Sequence, residues 1–221
     1  MRTGTINNYV KFSKNFGGVR KCYEGKPTIA VGGFACDTAL LPLNGAAMAA
    51  GTLVFADEQA RTIVPLYTFK VLSVDSTKKE VKVEKFETGS IAKVGMKLLV
   101  VGDDLTQAVA NIATVTAVDA SAEDYDILTM DEVVANSHAF IAEGDVLAEA
   151  KSSEVKKVKV IPNGLTYCDN VLDPDAEAID IDYVWNCMEK PVLERRMPPL
   201  TASLKKALRD NECYFRFSNR K

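Results

Sequence analysis

The stretch Tyr67-Thr68-Phe69-Lys70-Val71-Leu72-Ser73-Val74, then Asp75-Ser76-Thr77-Lys78-Lys79, then Glu80-Val81-Lys82-Val83-Glu84-Lys85-Phe86, decides the fold class. The first segment is rich in β-branched and aromatic residues, which fit a pleated, half-buried surface. The second is a run of turn formers. The third alternates, with Val81 and Val83 apolar and Phe86 one step out of phase. Side chains along a strand point to opposite faces, so this alternation buries one face and wets the other. Together the three segments predict an antiparallel hairpin.

Working outward, the hairpin has an echo. Val71-Leu72-Ser73-Val74-Asp75 returns as Val115-Thr116-Ala117-Val118-Asp119, and each is followed by a polar turn and a second strand. A Gly-then-Leu phrase recurs at Gly51-Thr52-Leu53, Gly95-Met96-Lys97-Leu98 and Gly144-Asp145-Val146-Leu147. Three short phrases are thin grounds for a repeat, and we read them as the turn-and-strand grammar that small barrels reuse. Short strands with frequent turn signals predict a mainly β chain, a small barrel or sandwich of antiparallel strands.

The flanks complete the expectation. Residues 1–30 are polar and basic, with Tyr9, Phe12, Phe16 and Tyr23 spaced between, and read as an extended arm that needs a surface to pack on. Asn44-Gly45 signals a tight turn, and Leu53-Val54-Phe55 a strand. Leu105, Val109 and Ile112 fall at roughly helical spacing, which predicts a short helix over 103–113. Residues 151–161 alternate as a strand that Asn163-Gly164 ends. Ile179, Ile181, Tyr183 and Trp185 predict another strand. Thr201 caps a short helix carrying Leu204 and Leu208, and Cys213–Phe217 forms a last strand. The domains expected are an arm at 1–30, a barrel or sandwich core at 31–161 and a C-terminal β-plus-short-helix segment at 162–221.

Charge is segregated. Residues 1–100 carry 14 Lys/Arg against 8 Asp/Glu, residues 101–188 carry 4 against 18, and residues 189–221 carry 9 against 4. Basic ends around an acidic middle attract each other within or between subunits. A nucleic-acid binder is basic over its whole domain, so no specific nucleic-acid partner is expected. No apolar run reaches the roughly 18 residues of a membrane span, so no membrane partner is expected either. The opening residues lack the apolar core of a secretory signal, and Asn-x-Ser/Thr acceptors are missing, which predicts synthesis in a cytoplasm.

Common chemistries lack their residues. His138 is the only histidine, and no Gly-x-Ser-x-Gly elbow presents a serine. Gly25-Lys26 resembles the end of a phosphate-binding loop, but Arg20 stands at its first glycine and Pro27 at its Ser/Thr. Asp37-Thr38-Ala39 lacks the glycine of an aspartic protease. The five cysteines are too widely spaced for a zinc knuckle. Asp173, Asp175, Glu177, Asp180 and Asp182 cluster, but Ala178 and Val184 stand where a calcium loop needs Gly and Glu. No catalytic, cofactor or metal residue is assigned, and no enzyme is expected.

The tail carries a resemblance. Pro191-Val192-Leu193-Glu194-Arg195-Arg196-Met197-Pro198-Pro199-Leu200, followed by Leu204-Lys205-Lys206-Ala207-Leu208 and an aromatic last strand, resembles the C-terminal end of tailed-phage head fiber and head decoration proteins. Ala50-Gly51-Thr52-Leu53-Val54 and Glu143-Gly144-Asp145-Val146-Leu147 resemble their Gly-x-Leu phrases, including those of prophages of gut Bacteroidetes. The resemblance implies a β-rich structural protein of a virion, seated on the capsid exterior as a trimer or other homo-oligomer. Its partners would be itself and the capsid protein, with no catalytic residues to carry over. The alternatives are a carbohydrate- or protein-binding β module, with an exposed aromatic patch around Tyr167, Tyr183 or Trp185, and an enzyme using metal at the 173–182 acids.

Overall fold

A computed structural model describes residues 22–30, 33–41, 46–135, 138–171 and 178–219. Five strands come first: β1 (Thr28–Ile29), β2 (Phe34–Asp37), β3 (Ala47–Met48), β4 (Leu53–Asp57) and β5 (Thr62–Leu66). Then follow β6 (Thr68–Asp75), β7 (Glu80–Glu84), β8 (Lys97–Val100), β9 (Ala113–Asp119), β10 (Tyr125–Met130), β11 (Val134–Ala135), β12 (His138–Ala139) and β13 (Val146–Glu149). The chain ends with β14 (Gly164–Thr166), β15 (Asn170–Val171), β16 (Ala178–Ile181), β17 (Tyr183–Leu193), helix α1 (Ala202–Asp210) and β18 (Tyr214–Ser218). The chain is mainly β, as expected.

Six strands close a barrel in the order β10-β7-β6-β13-β8-β9. The hairpin that decided the fold class is β6–β7, paired from Val71↔Val83 to Asp75↔Glu80. Exchanging β6 with β9, β7 with β10 and β8 with β13 maps this ring onto itself. The backbone obeys the exchange: Gly95 N–H donates to Val115 O and Val115 N–H to Met96 O, while Gly144 N–H donates to Val71 O and Val71 N–H to Asp145 O. Gly95 and Gly144 have φ of 87° and 88°, the left-handed region that glycine enters without strain. Two of the three recurring phrases therefore occupy equivalent places, which corrects the reading of them as turn grammar alone. The third, at Gly51, opens β4 outside the barrel.

The second layer is an eight-stranded sheet, β1-β17-β14-β4-β5-β2-β16, with β18 also paired to β17. It takes strands from before the barrel and after it. The expected division between a core at 31–161 and a segment at 162–221 thus cuts through one sheet: Gly164 pairs with Val54 and Leu165 with Leu53. Residues 68–149 are instead an excursion between β5 and β14. One apolar cluster runs from the barrel interior (Val71, Val83, Leu128, Leu147) to one face of the sheet (Phe34, Val54, Ile63). A second, on the other face, joins Leu53, Leu165 and Val184 to Leu204 and Leu208 of α1. Thr201 caps that helix as expected, its Oγ1 accepting from Leu204 N–H at 3.2 Å.

Three local expectations need correction. Residues 103–112 form turns and irregular chain leading into β9, because the Asp104 carboxylate accepts from Thr106 N–H and Oγ1–H and holds the backbone in a non-helical turn. Residues 151–161 form no strand; a single bridge, Ala150↔Val158, is their pairing, and Val155 and Ile161 are exposed. Asn163-Gly164 starts β14 rather than ending a strand. The Asn163 carboxamide pairs with the backbone of Ala56 in both directions, at 2.7 and 2.8 Å, as a strand residue would. The arm is described only from Cys22. Its last nine residues bend at Cys22 and Glu24–Gly25 before the short strand Thr28–Ile29, and the surface they pack on is β17 of the same chain: Leu193 N–H donates to Cys22 O, and Thr28 pairs with Asn186. Asn44-Gly45 and residues 1–21 lie outside the described residues.

Gly164 is the most crowded of the described glycines: an added Cβ would lie 2.4 Å from Cδ2 of Tyr183. Gly164→Ala is expected to cost about 1–3 kcal/mol by overpacking, read by chemical denaturation. The same change in a Tyr183→Leu background is expected to cost measurably less.

Candidate functional site

The barrel interior ends in charge. Val81 and Val83 face inward, and Lys85 continues their phase; on the neighbouring strand Asp126 shares its phase with Leu128 and Met130. Lys85 Nζ lies 3.0 Å from Asp126 Oδ1, with the two side chains 11% and 3% exposed. The ammonium also donates to Ala120 O at 2.6 Å and Ala122 O at 2.5 Å, tying the β9–β10 turn over the pair. Lys85 is thus fully used, but Asp126 Oδ1 has an ion contact without hydrogen-bond geometry.

This pair borders a cleft of about 410 Å³ between the barrel mouth and the segment Glu194–Leu200. Thr52 and Thr68 on its wall are buried and satisfied, donating to Ala49 O and Pro199 O. Thr88 is buried with its Oγ1 unpartnered. Among the described residues no histidine or cysteine lines the cleft, and its carboxylates sit against Lys85, Lys70 or Lys205.

A second cleft, of about 530 Å³, lies where residues 22–29 cross the sheet, beside Ala50 and Tyr167–Asp169. Tyr23 and Tyr167 stack there with centroids 6.3 Å apart, and Tyr23 OH donates to Thr166 O at 2.7 Å. Asp169 accepts from Ala50 N–H at 2.7 Å, and burial raises its carboxyl above the usual range.

The expected aromatic patch does not form as one surface. Tyr167 is exposed on its stack, Trp185 is partly exposed, and Tyr183 is buried, edge-on to Phe34 with its OH donating to Glu58 at 2.7 Å. Asp37 accepts from Ala39 N–H and caps a short turn. His138 lies on β12, paired with Ala135 of β11. Asp173, Asp175 and Glu177 lie outside the described residues; Asp180 is on β16 and Asp182 follows it. Among the described residues no group of three or more His, Cys, Asp or Glu is placed to hold a metal, and no helix is long and apolar enough to cross a membrane. Sequence reading missed the Lys85–Asp126 pair. Its signal was present: both residues are charged at positions in phase with buried neighbours.

No protein-family model, no curated protein and no solved structure matches this chain.

Breaking a buried ion pair strands one charge. Lys85→Met is expected to destabilise the chain by about 3–5 kcal/mol, and the double change Lys85→Met with Asp126→Leu to recover most of that, read by denaturant midpoints. The thiols make a pH prediction. Burial pushes Cys22 from 9.0 to about 12, and Cys36 and Cys213 to about 11. These groups are neutral in the folded chain, so their contribution is complete below pH 9 and is lost as pH rises towards 11–12. Equilibrium stability is expected to fall across that window. At pH 8, a thiol reagent is expected to label Cys168, the exposed cysteine, fast and the other four only on unfolding.

Proposed function

We propose that this chain is a non-enzymatic structural protein of a tailed-phage virion, a head fiber or capsid decoration subunit acting as a homo-oligomer on the capsid surface. The observation that carries the reading is the open edge of the eight-stranded sheet. β18 pairs with β17 on one side and has no second strand neighbour among the described residues. It carries Tyr214, 47% exposed, and Phe215 and Phe217, while Met188 of β17 is 54% exposed and Trp185 38%. An unpaired edge beside exposed apolar side chains is a surface that subunits close between them. The resemblance of the tail, Pro191–Leu200, to head fiber and decoration proteins supports the same reading, and so does the segregated charge. The partners that follow are a second copy of the chain and the capsid protein, with synthesis in the bacterial host cytoplasm.

A second reading, a carbohydrate- or protein-binding β module, is favoured by the unpartnered hydroxyl in the barrel-mouth cleft.

Light scattering after size separation tests the first reading. A stable trimer or other multiple of 24.1 kDa is expected. Met188→Glu with Tyr214→Glu is expected to give a folded monomer. A wild-type chain that stays monomeric at every concentration and salt strength would sink the homo-oligomer proposal.

A further inference from the structure

The barrel-mouth cleft has hydrogen-bonding capacity that the chain itself leaves unused. Thr88 Oγ1 and Asp126 Oδ1 are both buried at its wall and neither has a hydrogen-bond partner. Buried polar atoms are nearly always satisfied, because leaving one unmade carries its full desolvation penalty. Thr52 and Thr68 on the same wall show the ordinary arrangement, each donating to a backbone carbonyl. Thr88 Oγ1 is thus an orphan, and Asp126 Oδ1 has only its 3.0 Å ion contact with Lys85, so this wall leaves hydrogen-bonding positions open to an external donor or acceptor.

The charges around the cleft narrow the ligand. Lys70, Lys85 and Arg195 stand against Glu84, Asp126 and Glu194. Lys85 and Asp126 are 3.0 Å apart, Lys70 and Glu84 are 3.7 Å apart, and Glu194 is held by Lys205 at 2.6 Å. These three pairs cancel over the width of a ligand, and Arg195, which belongs to none of them, is exposed and screened by solvent, so neither an anion nor a cation gains much from this wall. The remaining surface is mostly apolar, with Phe86, Met197 and Pro198 facing the space. The barrel is closed, so it offers an extended peptide no strand edge.

We propose that the cleft binds a short neutral saccharide. A sugar hydroxyl donates to Asp126 and another exchanges a hydrogen bond with Thr88, while the C–H face of the ring lies on the apolar wall. Convergent polar groups on an apolar lining at a barrel mouth are the usual form of a small-ligand site. The inference adds a ligand to the proposed virion subunit and does not depend on its oligomeric state.

The test is a titration of the full-length, nitrogen-15-labelled chain with cellobiose and with chitobiose, followed by amide shifts. Shifts centred on Lys85, Thr88 and Asp126 are expected, with Kd of about 1 mM or tighter. Thr88→Val keeps the shape and removes a buried orphan hydroxyl, so the fold is retained; affinity is expected to drop about tenfold, and Thr88→Ser to restore it. The proposal is overturned if neither disaccharide moves these amides at about 50 mM, well above that Kd. It is overturned equally if the shifts fall at Tyr23 and Tyr167, if only inorganic phosphate moves the cleft, or if Thr88→Val binds as well as the wild type.

Discussion

Three residues, Gly164–Thr166, join the chain before the barrel to the chain after it. β14 pairs with β4 on one side and β17 on the other, so without it the sheet falls into two halves. Thr166 is the centre of that junction. Its backbone exchanges hydrogen bonds with Gly51 and Thr52, its Oγ1 accepts from Thr52 N–H and donates to Ala49 O, and its carbonyl also receives Tyr23 OH. These partners are 114 to 143 residues away in sequence. Contacts of that span close late and give a β-rich chain its slow folding. In the barrel, by contrast, half of the six pairings join consecutive strands, and the rest span shorter separations than these.

This difference explains what was legible. The β6–β7 hairpin and the capped α1 follow from patterns a few residues long and were read correctly, whereas the one strand expected through Ile179, Ile181, Tyr183 and Trp185 is two, β16 and β17, divided at Asp182. The sheet that joins β4 to β14 has no local signature, so the boundary at 161 was drawn where composition changed rather than where pairing changed. At 103–113 the apolar spacing suited a helix, but burial of Leu105 and the turn held by Asp104 met the same spacing without one. The recurring phrases had more meaning than their length suggested: a pair of left-handed glycines, Gly95 and Gly144, places equivalent strands around a two-fold ring.

The candidate sites were less legible still. The search by motif looked for histidines, carboxylate clusters and glycine loops, and those residues are scattered or serve as caps. What distinguishes the barrel mouth is a departure from pattern: Lys85 and Asp126 stand at positions where β7 and β10 otherwise turn valine, leucine and methionine inward. A charge on a buried phase is conspicuous only once the phase is known, and Phe86 obscured it by drawing the apolar alternation one step out of register. The exposed edge at β18 could not be foreseen either, since an aromatic strand reads alike at the centre of a sheet and at its margin.

The entry and exit of the barrel lie side by side. Thr68 pairs with Ala148, and Glu149 N–H donates to Tyr67 O. The chain therefore enters and leaves the barrel at one place, and events at the far end of the barrel do not alter the spacing of β5 and β14. Lengthening the turn at Ser76–Lys79 would extend the end of the barrel away from the sheet and leave the sheet's register untouched, whereas the Ala120–Asp124 turn lies at the sheet-facing mouth, held there by Lys85. Such an architecture lets one end of the chain change its reach and surface while the other keeps a fixed seat.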